Sequence, residues 1–234
     1  MPHETYLSVQ GVARAPMLRP AYFELEEGRI LGIVGPSGAG KSTLARLIAG
    51  HDLADAGEVL LAGSANFPAA DIQLILQQPA ESLNPRFTAA EAVAEPMVIR
   101  RGGRTRDHLD EVHRWMEAVG LSSKVADKPA HEFSGGERQR FAIARAFAAE
   151  PKVLILDESF TGLDPAMQSQ VAELLRGRTA IVISHDVAMV ASLAEHILVM
   201  EAGRIVEAGA TAVILKDPLQ PITKELLAAS QALA

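Results

Sequence analysis

Eight consecutive residues carry the most specific chemistry in the chain. Gly35-Pro36-Ser37-Gly38-Ala39-Gly40-Lys41-Ser42 reads G-x-x-x-x-G-K-S, the spacing of a loop that wraps a phosphate. Its glycines let backbone N–H groups turn inward around an anion. A helix opening at Ser42 and Thr43 aims the positive end of its dipole at the same anion. In such a loop Lys41 reaches the β- and γ-phosphates, and the Ser42 hydroxyl holds Mg2+. A second candidate group is Asp157-Glu158, paired carboxylates directly after an apolar run. With a lysine and a metal they suit phosphoryl transfer, which needs positioning and charge stabilisation more than covalent chemistry. His185 follows Ser184 at the end of another apolar run, where an imidazole donor can stabilise charge on a γ-phosphate. Ser134-Gly135-Gly136 offers a hydroxyl, backbone N–H groups and a helix start, which together make a further anion site. One chain does not bring both anion sites to a single nucleotide. Gln77 closes a strand with a neutral amide able to touch a metal's water and a nucleophilic water, and the adjacent Gln78 offers the same group.

The elements that must position these residues follow from periodicity. Ile30–Val34 is a short apolar run read as a buried strand feeding the loop, and Ser42–Ala49 has helical spacing. Leu7–Val9, Tyr22–Leu25, Glu58–Leu61 and Asp71–Leu76 read as further strands, with Phe23 in the core. The period then changes: Thr88–Arg101 and Asp107–Val119 read as helices around Gly102-Gly103-Arg104. Ser134 sits at an N-cap position, before a helix from Gly136 to about Glu150 that Pro151 stops. Val153–Leu156 and Ala180–Ile183 are continuous apolar runs, as strands covered on both faces require. A helix runs from Pro165 to Leu175, His196–Met200 and Arg204–Glu207 form a hairpin, and Thr211–Leu215 and Ile222–Ala232 are helices. Strands alternating with helices predict an α/β core with parallel strands, and ligands sit off the carboxyl ends of such strands. The phosphate loop and Asp157-Glu158 both lie at strand ends.

Composition sets the remaining bounds. The 234 residues are 48% hydrophobic and 4% aromatic, so the core is mostly aliphatic. A formal net charge of -7 argues against a protein that coats nucleic acid or anionic lipid by bulk charge. No apolar run approaches the roughly 18 residues of a membrane span, and Met1-Pro2-His3-Glu4 opens no secretory signal. The absence of cysteine excludes disulfides and thiolate metal sites and suits a cytoplasmic setting. His108 and His113 do not share a helix face, so no metal site is read there.

The order of these motifs resembles the ATP-binding cassette (ABC) ATPases: Gly35–Ser42, Gln77, Ser134-Gly135-Gly136-Glu137-Arg138-Gln139, Leu156-Asp157-Glu158, Leu163-Asp164, then His185. The resemblance covers nearly the whole chain. Gln77-Gln78-Pro79 with Ser82-Leu83-Asn84-Pro85-Arg86, and Asp217-Pro218-Leu219-Gln220-Pro221-Ile222-Thr223, resemble the peptide/nickel import branch. The resemblance implies a P-loop NTPase core of mainly parallel sheet, an N-terminal antiparallel β subdomain and a helical insertion. The implied layout is one domain over 1–234, with core 1–76 and 151–234 and a helical subdomain of approximately 77–150. It implies ATP and Mg2+ as ligands, Gly35 through Thr43 around the nucleotide, and Ser42, Gln77 and Asp157 on the metal. It makes Glu158 the base that polarises the attacking water, with His185, Lys41 and Gln77 as its catalytic companions. Ser134, Gly135 and Gly136 of one subunit then close over the ATP held by the loop of another, with Asp164 at the seam. The implied protein is a peripheral subunit on the cytoplasmic face of a membrane, powering an importer of peptides or nickel. Its partners are integral membrane permease subunits, a second cassette, identical or different, and indirectly an extracytoplasmic solute-binding protein; nucleic acid is not among them.

Two departures from the family pattern follow, and two other readings stay open. No aromatic residue follows the first strand to stack on adenine, and Arg14 is the candidate substitute through its guanidinium plane. The signature's usual Gln is Glu137, a carboxylate beside a triphosphate that weakens closure. One other reading is a soluble ABC ATPase working as a scaffold or on DNA or ribosomes. The other is a P-loop kinase or GTPase, which leaves Ser134-Gly135-Gly136 and His185 unexplained.

Overall fold

The computed structural model describes residues 5–76 and 83–232. It opens with β1 (Thr5–Arg14), β2 (Leu18–Glu26), β3 (Ile30–Val34), α1 (Lys41–Ile48), β4 (Ala56–Leu61) and β5 (Ile72–Ile75). Three helices follow, α2 (Ala89–Arg101), α3 (Leu109–Ala118) and α4 (Gly135–Ala148). The chain then alternates through β6 (Val153–Asp157), α5 (Pro165–Leu175), β7 (Ala180–Ser184), α6 (Val187–Leu193), β8 (His196–Glu201) and β9 (Arg204–Ala210). It ends in α7 (Thr211–Lys216) and α8 (Pro221–Ala232).

The strands form a six-stranded sheet of order β5-β6-β7-β3-β8-β9 and a three-stranded sheet of order β2-β1-β4. The large sheet is parallel except for β9, which returns antiparallel to β8. The small sheet is antiparallel throughout. The α/β reading with an N-terminal antiparallel sheet therefore holds. Phe23 on β2 is half-buried and packs against the cluster between the sheets, on the same face as the fully covered Ala21 and Leu25.

The period of two along each central strand divides the core in half. Ile30, Leu154, Leu156, Val182, Ile197 and Val199 face the helices α2 to α6. Leu31, Ile33, Val153, Ile155, Ile181, Ile183, Leu198 and Met200 face α1 and the small sheet. Both faces are buried, so the strands read as unbroken apolar runs. On α1, Leu44 and Ile48 are fully enclosed, each worth about 1.5–3 kcal/mol by removal from water. This burial fixes the start of α1, and hence Lys41 and Ser42, against the sheet.

The helices α2 to α4 pack around Met97, Val112, Met116, Phe141 and Phe147, with Trp115 stacked on Phe147 at 5.8 Å. The start of α3 is preceded by a 3-10 turn, Thr105–His108, stabilised by the Arg104 N–H donating to Asp107. An ion cluster joins this layer to the sheet. Asp71, 2% exposed, lies 3.0 Å from Arg100 and 2.9 Å from Lys152. Arg100 also donates to the carbonyls of Ala149 and Glu150. A carboxylate that buried needs such partners. The short helix α6 was not foreseen: it is capped by Asp186, which accepts from the Met189 N–H at 3.1 Å.

The C-terminal helix is held at both ends. Glu207 on β9 is 8% exposed and accepts from the N–H groups of Leu219 (2.8 Å) and Gln220 (3.1 Å) and from the Thr223 hydroxyl. Near its other end the Ser230 hydroxyl donates to Asp186 at 3.2 Å and accepts from the Ala188 N–H.

Candidate active site

The carboxyl ends of β3, β6 and β7 meet beside the glycine loop. Gly35 leaves β3 where an added Cβ would sit 2.2 Å from the Met200 carbonyl oxygen, so only glycine fits. Gly40 caps α1 with φ of 96°, in the left-handed region that glycine adopts without strain. Between them the loop surrounds Lys41, which is 7% exposed. Its ammonium donates to the carbonyls of Gly35 (2.8 Å) and Pro36 (3.0 Å). Burial holds the Lys41 pKa below the ordinary lysine value, against the opposing pull of Glu158 and Asp157.

Asp157 ends β6 and is 2% exposed. Burial pushes its carboxyl above the ordinary aspartate value, while a hydrogen bond from Ser42 and the charge of Lys41 pull it back. Its Oδ1 is buried and accepts no hydrogen bond from the described residues. A buried carboxylate oxygen with no donor, beside a serine hydroxyl, is the donor set of a hard divalent cation that keeps most of its water. The residues therefore fit Mg2+.

Glu158 follows with φ of +50°, a strained backbone that turns its side chain off the strand end. Its N–H still bonds to the Ile183 carbonyl of β7 at 3.0 Å. Its Oε2 accepts from His185 Nδ1 (3.0 Å), the Ser184 hydroxyl (3.2 Å) and the Thr161 hydroxyl (3.4 Å). An ionised carboxylate can only accept, so Nδ1 of His185 carries the hydrogen and Nε2 is left for a ligand. Donation from Nε2 to a phosphate then requires a proton on both ring nitrogens.

Lys41, Ser42, Glu158 and His185 share one cavity of about 820 Å3, lined by Ser37 through Thr43 with Glu158 and His185, and by Pro16, Met17, Ala202 and Gly203. Ser134, Gly135, Gly136 and Asp164 are not on its wall. Gln77, with the alternative Gln78, lies outside the described residues. Arg14 is a correction: it pairs with Asp52 at 2.9 Å instead of lining the cavity. Asp52 also draws Arg46 to 3.0 Å, and that carboxylate is the stronger attraction for a guanidinium.

The Ser134 segment is built as a reciprocal cap. The Ser134 hydroxyl accepts from the Glu137 N–H, and Glu137 Oε2 accepts from the Ser134 N–H (2.9 Å) and hydroxyl (2.8 Å). These bonds, from the hydroxyl first, hold the Glu137 carboxyl below its usual range. Gln139 on the same helix donates to the carbonyls of Ser159 (2.9 Å) and Thr161 (3.2 Å), just after Glu158. Arg140 pairs with Asp164 at 2.8 Å, and Asp164 caps α5 through the Met167 N–H.

Sequence reasoning missed Pro16, Met17, Ser184, Thr161 and Gln139. Met17 had one visible mark, a large apolar residue in a turn. The others carried no mark that sets them apart from ordinary loop and strand residues.

Residues 18–161 match the family described as ABC transporter. The chain is 39% identical over 224 residues to the oligopeptide transport ATP-binding protein OppF of Bacillus subtilis, covering 88% of this chain and 73% of that one. It is 38% identical over 239 residues to the di/tripeptide transport ATP-binding protein DppF of Pseudomonas aeruginosa, covering 96% and 74%. Among solved structures it resembles cbiO1 of Clostridium perfringens, described as part of the ABC transporter complex cbiONQ, with a TM-score of 0.76, 25% identity and 92% of each chain covered.

Proposed function

The chain belongs to the ABC transporter family and is one of its ATPases; from that premise we propose that it powers a peptide importer through separate membrane subunits. The cavity that brings Lys41 and Ser42 together with the Glu158–His185 pair, next to the buried Asp157 that precedes Glu158, is the observation that carries this reading. The two relatives named for peptide transport supply the cargo class.

We assign the roles as follows. The loop from Gly35 to Thr43 wraps the β- and γ-phosphates with N–H groups and the start of α1. Lys41 exchanges its bonds to Gly35 and Pro36 for phosphate oxygens. Asp157 and Ser42, with Gln77, hold Mg2+, which neutralises charge on the phosphates when bound. Glu158 polarises water from Oε1, the oxygen not engaged by its neighbours. His185 stabilises charge on the γ-phosphate through Nε2. The adenine lies against Pro16 and Met17, whose side chains offer no hydrogen bond to its edge.

That Ser134, Gly135, Gly136 and Asp164 do not line this cavity supports their use on a second subunit's nucleotide, identical or different. ATP then favours the closed pair and hydrolysis reopens it, as differential binding requires. The core is 1–76 with 151–234, and the helical part, approximately 77–150, meets the membrane subunits. No helix among the described residues is long and apolar enough to cross a membrane. In this reading the protein docks peripherally, through its membrane subunits, on the cytoplasmic face.

The test is reconstitution with the membrane subunits and a peptide-binding protein in sealed vesicles. Wild type should accumulate labelled peptide with ATP. Glu158→Gln should bind ATP, hydrolyse it very slowly and abolish uptake. Uptake of nickel without peptide would refute the cargo assignment, and full turnover by Glu158→Gln would remove the base.

A further inference from the structure

Ser184 is the last residue of a strand that is otherwise wholly aliphatic, Ala180 to Ile183. It is 2% exposed, and a hydroxyl at that depth is retained only with partners. It has one on each side. The Asp186 N–H donates to Ser184 Oγ at 3.1 Å, which occupies the acceptor side of the hydroxyl. Its hydrogen is thereby directed to Glu158 Oε2, 3.2 Å away. The other donors on that oxygen are less sheltered. The His185 side chain is 63% exposed, and Thr161 reaches only to 3.4 Å, so water competes with both. Ser184 is the enclosed donor, and it is rigid: β7 runs in parallel register with β6, pairing Ile183 with Asp157 immediately before Glu158.

We propose that Ser184 is a positioning residue for hydrolysis, fixing Glu158 by Oε2 so that Oε1 alone is presented to the attacking water. This rests on the reading of Glu158 as the base. With one oxygen held, the carboxylate loses its freedom to swing about its terminal bond. Near-attack geometry is what such restraint supplies, and small misplacements there cost roughly tenfold to hundredfold in rate. Ser184 does not itself line the cavity and meets it only through Glu158, so nucleotide affinity should change little.

The test compares steady-state Mg2+–ATP turnover by the full chain carrying Ser184→Ala, Ser184→Val and Ser184→Thr. Valine and threonine have nearly the same size and differ in the hydroxyl, which separates hydrogen bonding from packing. Ser184→Ala and Ser184→Val should lower kcat by roughly tenfold to hundredfold, with KM for ATP changed less than about twofold. Ser184→Thr should recover most of the rate. In a Glu158→Gln background, Ser184→Ala should change the residual rate by less than about twofold, because the group it positions is gone. Equal slowing by threonine and valine would overturn the proposal, as would a full multiplicative loss in the double variant. Full turnover by Ser184→Ala beside a slow Glu158→Gln would overturn this inference and leave the base in place. Full turnover by Glu158→Gln itself would remove both.

Discussion

Glu207→Gln isolates what one carboxylate does for the last helix. In the wild type its oxygens accept from the Leu219 and Gln220 N–H groups and from the Thr223 hydroxyl. Bonds to an ionised acceptor contribute about 1.5–3 kcal/mol each, and neutral ones about 0.5–1.5. The loss is then about 1 kcal/mol per bond and roughly 3 kcal/mol over the three. Because an opening equilibrium changes tenfold per about 1.4 kcal/mol, α8 should open about a hundredfold more often. Hydrogen exchange is the assay: the α8 amides should lose about two decades of protection, while those of β6 and β7 keep theirs. The acid dependence adds a signature. Burial pushes the Glu207 carboxyl up, but the Leu219, Thr223 and Gln220 donors hold it below the ordinary glutamate value. A depressed folded pKa contributes stability above the unfolded value and loses it as pH falls through the folded one. The gap between wild type and variant should therefore close in acid. Unchanged α8 protection at neutral pH, or a gap that widens in acid, would refute the reasoning.

Further outcomes follow from the same geometry. Met17→Ala should weaken ATP and GTP alike, by roughly threefold to tenfold for one lost thioether–ring contact, and Met17→Tyr should tighten ATP; equilibrium binding of fluorescent analogues reads both. Asp71→Ala leaves Arg100 and Lys152 without their shared anion and should cost about 2–3 kcal/mol in urea unfolding. Burial raises the Asp157 pKa, so on acidification it takes up a proton sooner than an ordinary aspartate. Mg2+-dependent ATP binding should fall correspondingly early, and calorimetry across pH would show it. Ser134→Arg should block nucleotide-driven pairing of subunits in size-exclusion runs with ATP while leaving single-subunit nucleotide binding intact.

The central strands were legible because burial on both faces writes them as aliphatic runs, as Val153–Leu156 and Ala180–Ile183 show. The phosphate loop and Asp157-Glu158 were legible because their chemistry is local in sequence. What was hidden depends on partners far along the chain. Asp52 claims Arg14 from 38 positions along the chain, a span no short motif covers; the pairing of Glu207 with Thr223 gives a physical reason for the Pro221-Ile222-Thr223 segment that its sequence alone withheld. The helix α6 escaped because it is short, and only Val187 and Val190 of it are buried, too few to set a period.

The Gln139 side chain has a consequence for traffic between neighbours. Its amide couples the helix that begins at Ser134 to the carbonyls of Ser159 and Thr161. If a neighbour's nucleotide closes on Ser134 as proposed, a shift of that helix would reach Ser159 and Thr161, just after Glu158, within the same protomer. On that proposed pairing, loading on one side would bias readiness on the other with no detour through the membrane.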